Sequence, residues 1–90
     1  MLSKEPIDLE KIDKKNIDKE ILRLGMIAEL DAVNLYEQLA AETNNEKIKR
    51  VLLDIAREEK THVGEFQALL LELDKEQVEE LEKEKKKLKK

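Results

Sequence analysis

The chain of 90 residues has no cysteine and no tryptophan, one proline, two glycines and only two aromatic residues, Tyr36 and Phe66. The absence of cysteine excludes a disulfide scaffold, a zinc ribbon, a thiolate cluster and a thiol nucleophile. So few aromatic and β-branched residues argue against a sheet, and so little proline and glycine leaves long helices unbroken. No apolar run approaches the roughly 20 residues needed to span a bilayer. Met1–Asn16 alternates charge with isolated apolar residues and so lacks the apolar stretch of a signal peptide. The expected setting is cytoplasmic, with no membrane partner.

What is abundant is charge, at 44% of residues, with a net charge of −4. Its distribution is uneven. Residues 1–74 hold 17 acidic and 11 basic side chains, a balance of −6, whereas residues 75–90 hold 5 and 7, a balance of +2. An acidic body is unsuited to nucleic acid, whose phosphates demand clustered Lys and Arg, and better suited to metal cations. The basic run Lys85–Lys90 reads as a solvated helix C-terminus, where the helix dipole favours cations.

Apolar periodicity predicts one helix from about Asp18 to Thr43 and a second from Glu46 to Leu73, joined at the polar turn Asn44-Asn45 as an antiparallel hairpin. Asp74 interrupts the pattern, and residues 75–90 resume it as a short, very polar helix that carries only Val78, Leu81 and Leu88 as apolar anchors. Such a helix must dock or fray. Residues 1–16, with Pro6, read as an extended arm, residues 17–74 as the hairpin domain and residues 75–90 as the C-terminal helix. Gly25 and Gly64 fall inside the two long helices, either at points of close packing or as tolerated residues that cost about 1 kcal/mol each against Ala.

The second helix has an apolar stripe at alternating steps of four and three: Ile48, Leu52, Ile55, Glu59, His62, Phe66, Leu69 and Leu73. Its two polar members are adjacent, and one is the sole histidine. The first helix has the matching stripe Leu22, Met26, Glu29, Val33, Tyr36, Ala40, again with one acid. Counted from the Asn44-Asn45 turn, Glu29 lies about 15.5 residues back, Glu59 about 14.5 forward and His62 about 17.5 forward, so their axial offsets are only about 1.5 and 3 Å. Helix axes ~8–10 Å apart bring the three side chains to one point. Carboxylates inside a bundle are costly without a counter-charge, which predicts a cation there.

A two-helix hairpin cannot enclose a core. Pairing two hairpins about a two-fold axis gives a four-helix bundle that supplies one Glu from each of two helices and one Glu-x-x-His from each of the others, the ligand set of di-iron carboxylate bundles. Four glutamates balance two Fe(II) ions. Mixed imidazole and carboxylate ligation suits iron or manganese, and zinc can imitate it, while calcium is disfavoured by the histidine.

The segments Ala28-Glu29-Leu30-Asp31-Ala32-Val33-Asn34-Leu35-Tyr36 and Arg57-Glu58-Glu59-Lys60-Thr61-His62 resemble the encapsulated ferritin-like proteins over roughly residues 18–74. The resemblance implies an all-α fold: a two-helix antiparallel hairpin plus a short C-terminal helix, homodimerising into a ferritin-like four-helix bundle. It implies ferroxidase activity, in which dioxygen oxidises Fe(II) at a di-iron site between subunits, with Glu29, Glu59 and His62 as ligands and Tyr36 nearby. It also implies a homodimer, dimers joined into a ring (a decamer) through the C-terminal helix, and residence with an encapsulin shell protein inside a cytoplasmic nanocompartment. A second metal-uptake site in this family uses acids flanking the bundle glutamate. Here the preceding residue is Ala28, and Asp31 is the acid that remains as a candidate ligand. The closing Lys-Lys-Leu-Lys-Lys resembles no targeting peptide, which fits a truncated chain or one domain of a longer protein. For Tyr36 the alternatives are a redox neighbour, a hydrogen-bond partner of a ligand, or a plain core tyrosine. For the whole chain, the competing expectation is a non-catalytic helical oligomerisation module with a structural metal site.

Overall fold

The computed structural model describes residues 16–89. Three helices account for them: α1 (Ile17–Glu42), α2 (Glu46–Leu73) and α3 (Lys75–Leu88). The expected arm lies outside the described residues except for Asn16, whose carbonyl accepts the Glu20 N–H at the start of α1. Helix α1 both begins and ends one residue before the expected bounds. Thr43 is already extended, and its hydroxyl accepts the N–H of Asn45.

Asn45 closes the turn. Its side-chain oxygen accepts the N–H groups of Lys47 and Ile48 at 3.0 and 3.1 Å, filling two of the orphan donors that open α2. This cap fixes where α2 starts, and with it the height at which every later α2 residue stands opposite α1.

The two long helices pack as an antiparallel pair through small side chains. Val33 and Ala40 of α1 and Ala56 and Leu70 of α2 are the buried apolar residues. Small residues at the contact let the axes approach closely. Gly25 belongs to the same close packing, because a Cβ there would stand 3.2 Å from the Phe66 ring, whereas a Cβ at Gly64 would meet nothing within 4 Å.

The stripe on α2 is therefore only partly the line of contact within the hairpin: His62 reaches Glu29 and Phe66 sits against Gly25 of α1, while its ends stay open. The fully buried α2 residues, Ala56 and Leu70, lie one residue to its side, and Ile48, Leu69 and Leu73 are left 50%, 49% and 48% exposed. The molecule is flat, 47 × 41 × 17 Å. Among the described residues no second layer of helices covers the open ends of the stripe.

At the far end from the turn, Asp74 serves both α2 and α3. Its backbone N–H donates to the Leu70 carbonyl, ending α2, while its side chain accepts the Gln77 N–H at 3.1 Å, beginning α3. The other carboxylate oxygen accepts from Arg23 Nη2 of α1 at 2.7 Å, and Arg23 Nη1 also reaches Glu20 at 3.3 Å. The expected interruption at Asp74 is thus a buried junction held by all three helices. Helix α3 has no buried residue of its own, so this junction and its half-buried Leu81 fix its direction.

Candidate metal centre

Midway along the hairpin, α1 presents Glu29 and α2 presents Glu59 and His62, one turn apart. His62 Nδ1 lies 3.3 Å from Glu29 Oε2 and 3.5 Å from Glu59 Oε2. One potential ligand atom from each of the three residues falls within 4.8 Å of the others, and among the described residues this is the group of acids and histidine able to surround an ion. The structure thus brings together the three side chains that turn counting placed at one height. A cross-helix pair, Lys60 Nζ to Glu37 Oε2 at 3.1 Å, ties the helices together just outside the cluster.

The arrangement is electrostatically incomplete. Two carboxylates stand on either side of one imidazole, and even a protonated His62 leaves the group one negative charge in excess. Partial exposure, 23% for Glu29 and 19% for Glu59 beside 47% for His62, makes that tolerable in a single chain. Covering the face would not, because carboxylates removed from water repel each other more strongly and lose their hydration. A divalent cation meets that charge, and the donor set of two carboxylates and one imidazole fits iron, manganese or zinc.

Beside the cluster is an open hollow of about 340 Å³ lined by Glu29, His62, Glu65, Phe66 and Leu69. Glu65 is absent from the sequence-based candidates. The signal was present in Glu59-x-x-His62-x-x-Glu65, a histidine with an acid one turn on either side, but the apolar stripe drew attention to only one of these acids. Phe66 forms the hydrophobic side of the hollow and is itself seated against Gly25.

The remaining candidates lie apart from the cluster. Tyr36 is half-buried on α1, about 10.5 Å along the helix from Glu29. Asp31, two residues from Glu29, is half-buried and belongs to no group of potential ligands with the other three.

Comparison with known proteins places this geometry among relatives. Residues 20–90 match the family model described as Rubrerythrin. The chain is 59% identical over 83 residues to the ferritin-like-encapsulin shell fusion protein of Pyrococcus furiosus, an alignment covering 90% of this chain and 24% of the relative. It is 39% identical over 69 residues to the encapsulin nanocompartment cargo protein EncC of Myxococcus xanthus, covering 73% of this chain and 53% of that protein. The chain thus spans about a quarter and about half the length of these two relatives. The crystal structure of the encapsulated ferritin domain from Pyrococcus furiosus superposes with a TM-score of 0.82 at 52% identity, covering 99% of this chain and 91% of that one.

Proposed function

The chain is a ferritin-like member of the Rubrerythrin family, and on that premise we propose that it is a ferroxidase whose di-iron site is completed by a second copy of itself. The observation that carries the reading is the convergence of Glu29, Glu59 and His62 on an apolar face that the described residues leave open.

Two such faces related by a two-fold axis bury Ile48, Leu69 and Leu73 against their counterparts and bring two half-sites together. The result holds four carboxylates and two imidazoles, a charge of −4 that two Fe(II) substrate ions neutralise. In one turnover each Fe(II) gives up one electron, and dioxygen takes both together with two protons to leave as hydrogen peroxide. The chain's own residues hold two ions at a set separation, supply harder oxygen ligands that favour Fe(III), and keep coordination positions open on the hollow side. Tyr36 would reach such a centre only across the two-fold, as a redox neighbour or a hydrogen-bond partner of a ligand. Asp31 would stand on the uptake side as a further carboxylate for arriving cations.

The names of the two relatives, an encapsulin shell fusion protein and an encapsulin nanocompartment cargo protein, support an encapsulin shell as the setting; in this reading the shell lies in the cytoplasm, surrounds the oligomer and would retain the oxidised iron as mineral. Among the described residues no helix is long and apolar enough to cross a membrane. Helix α3, projecting from the Asp74 junction, is the element available to join dimers into a ring.

The test is stopped-flow oxidation of Fe(II) by the wild type, Glu29→Ala and His62→Ala. The reading expects rapid oxidation by the wild type, a loss of at least 100-fold in both variants by analogy with removal of a group central to catalysis, and unchanged helical circular dichroism. Wild-type rates in both variants would refute it. Metal binding without oxidation in the wild type would favour the structural-site alternative.

A further inference from the structure

We propose that Glu65 is a positioning residue for the metal centre, accepting the Nε2–H of His62 once the face is covered and so fixing the imidazole to bind through Nδ1. This rests on the reading of Glu29, Glu59 and His62 as metal ligands.

The orientation of the ring is the starting point. His62 turns Nδ1 toward Glu29 and Glu59, which leaves Nε2 on the opposite side of the imidazole. When Nδ1 gives its lone pair to a metal, the ring proton resides on Nε2, and that N–H needs an acceptor. In the single chain the His62 side chain is 47% exposed, so water can meet the need. Covering the face against a second copy removes that water, and an unmet buried donor is costly.

The hollow beside His62 offers few replacements. Phe66 and Leu69 have no acceptor, and Glu29 is already on the Nδ1 side, so Glu65 is the lining carboxylate that remains. It is three residues beyond His62 on α2, where Cβ atoms stand about 5–6 Å apart. Helical side chains tilt toward the N-terminus, so Glu65 leans back over the turn that carries His62. Among the described residues no cation is paired with it. A carboxylate accepting the outer N–H holds the ring orientation and raises the basicity of the ligating nitrogen, and loss of such a partner weakens metal binding by about 10–100-fold.

The experiment uses the full chain with Zn(II) and Co(II) as probes. Nitrogen-15 NMR of His62 in the Zn(II) form reports which ring nitrogen is protonated and how strongly it is hydrogen-bonded, and Co(II) absorption titration reports affinity. For Glu65→Ala the proposal expects roughly tenfold or greater loss of Co(II) affinity and a shift of the Nε2 resonance toward a weaker hydrogen bond, with unchanged oligomer mass. Glu65→Gln, which retains an acceptor oxygen, recovers part of both. Wild-type affinity and an unmoved His62 signal in Glu65→Ala would overturn the proposal while leaving the metal centre intact, provided that Glu29→Ala abolishes Co(II) binding. A wild type whose His62 Nδ1 resonance ignores Zn(II) would overturn both readings together.

Discussion

Gly25 and Gly64 show how one residue type acquires opposite meanings from its surroundings. A methyl group at Gly64 enters empty space, so Gly64→Ala should stabilise the chain by about 0.5–1 kcal/mol through helix propensity alone. A methyl group at Gly25 instead presses on the Phe66 ring at 3.2 Å, and the strain offsets the same gain. Chemical denaturation of the two variants should place Gly64→Ala above the wild type and Gly25→Ala below Gly64→Ala. Because Phe66 lines the hollow beside His62, Gly25→Ala should also disturb metal affinity, which Gly64→Ala leaves alone. The sequence could not separate the two glycines: each interrupts its helix in the same way, and only the opposing side chain distinguishes them. Glu29, Glu59 and His62 were legible for the converse reason. A tight polar turn makes height along the hairpin a matter of counting, and the two stripes put all three on facing sides.

At the scale of the elements, Asp74 governs the direction of α3. The Gln77 backbone N–H is the main influence holding its carboxyl below the ordinary carboxylate range; the Arg23 hydrogen bond and the charges of Lys19 and Arg23 act the same way, against the opposing effect of burial. A carboxyl whose pKa is lower in the folded chain stabilises that chain while ionised. The contribution is fully present above the ordinary Asp range and is lost as pH falls through the lowered value. Protection of the α3 amides, taken relative to their intrinsic exchange rate at each pH, should therefore fall on acidification through that range, before protection in the middle of α1 and α2 does, and Arg23→Ala should produce the same loosening at neutral pH. Equal protection of α3 in Arg23→Ala and the wild type would mean that the junction does not hold the helix. Asp74 as an interruption was readable from the pattern of residues. Its bond to Arg23, 51 residues earlier, was not, because no periodicity connects side chains that meet only through the packing of three helices.

For the whole molecule, the stripe through Ile48, Leu69 and Leu73 is where sequence reasoning and structure diverge most usefully. The stripe is regular enough to read as a seam, yet only its middle meets α1, at His62 and Phe66, while the fully buried α2 residues Ala56 and Leu70 lie one residue away and Ile48, Leu69 and Leu73 stay half exposed. Periodicity identifies a face that must be covered but does not say by what. The small alanines at the hairpin contact, Ala40 and Ala56, carry too little apolar area to stand out in the sequence beside leucine and isoleucine. The proposed dimer and cation answer the same feature, an apolar face that holds two carboxylates beside one imidazole. The measurement that bears most directly on this is native mass spectrometry of the chain with and without Fe(II), counting subunits and bound metal together. The account predicts even-numbered oligomers carrying two irons per pair of chains at Glu29, Glu59 and His62. A monomer that binds iron, or a dimer that excludes it, would contradict the account.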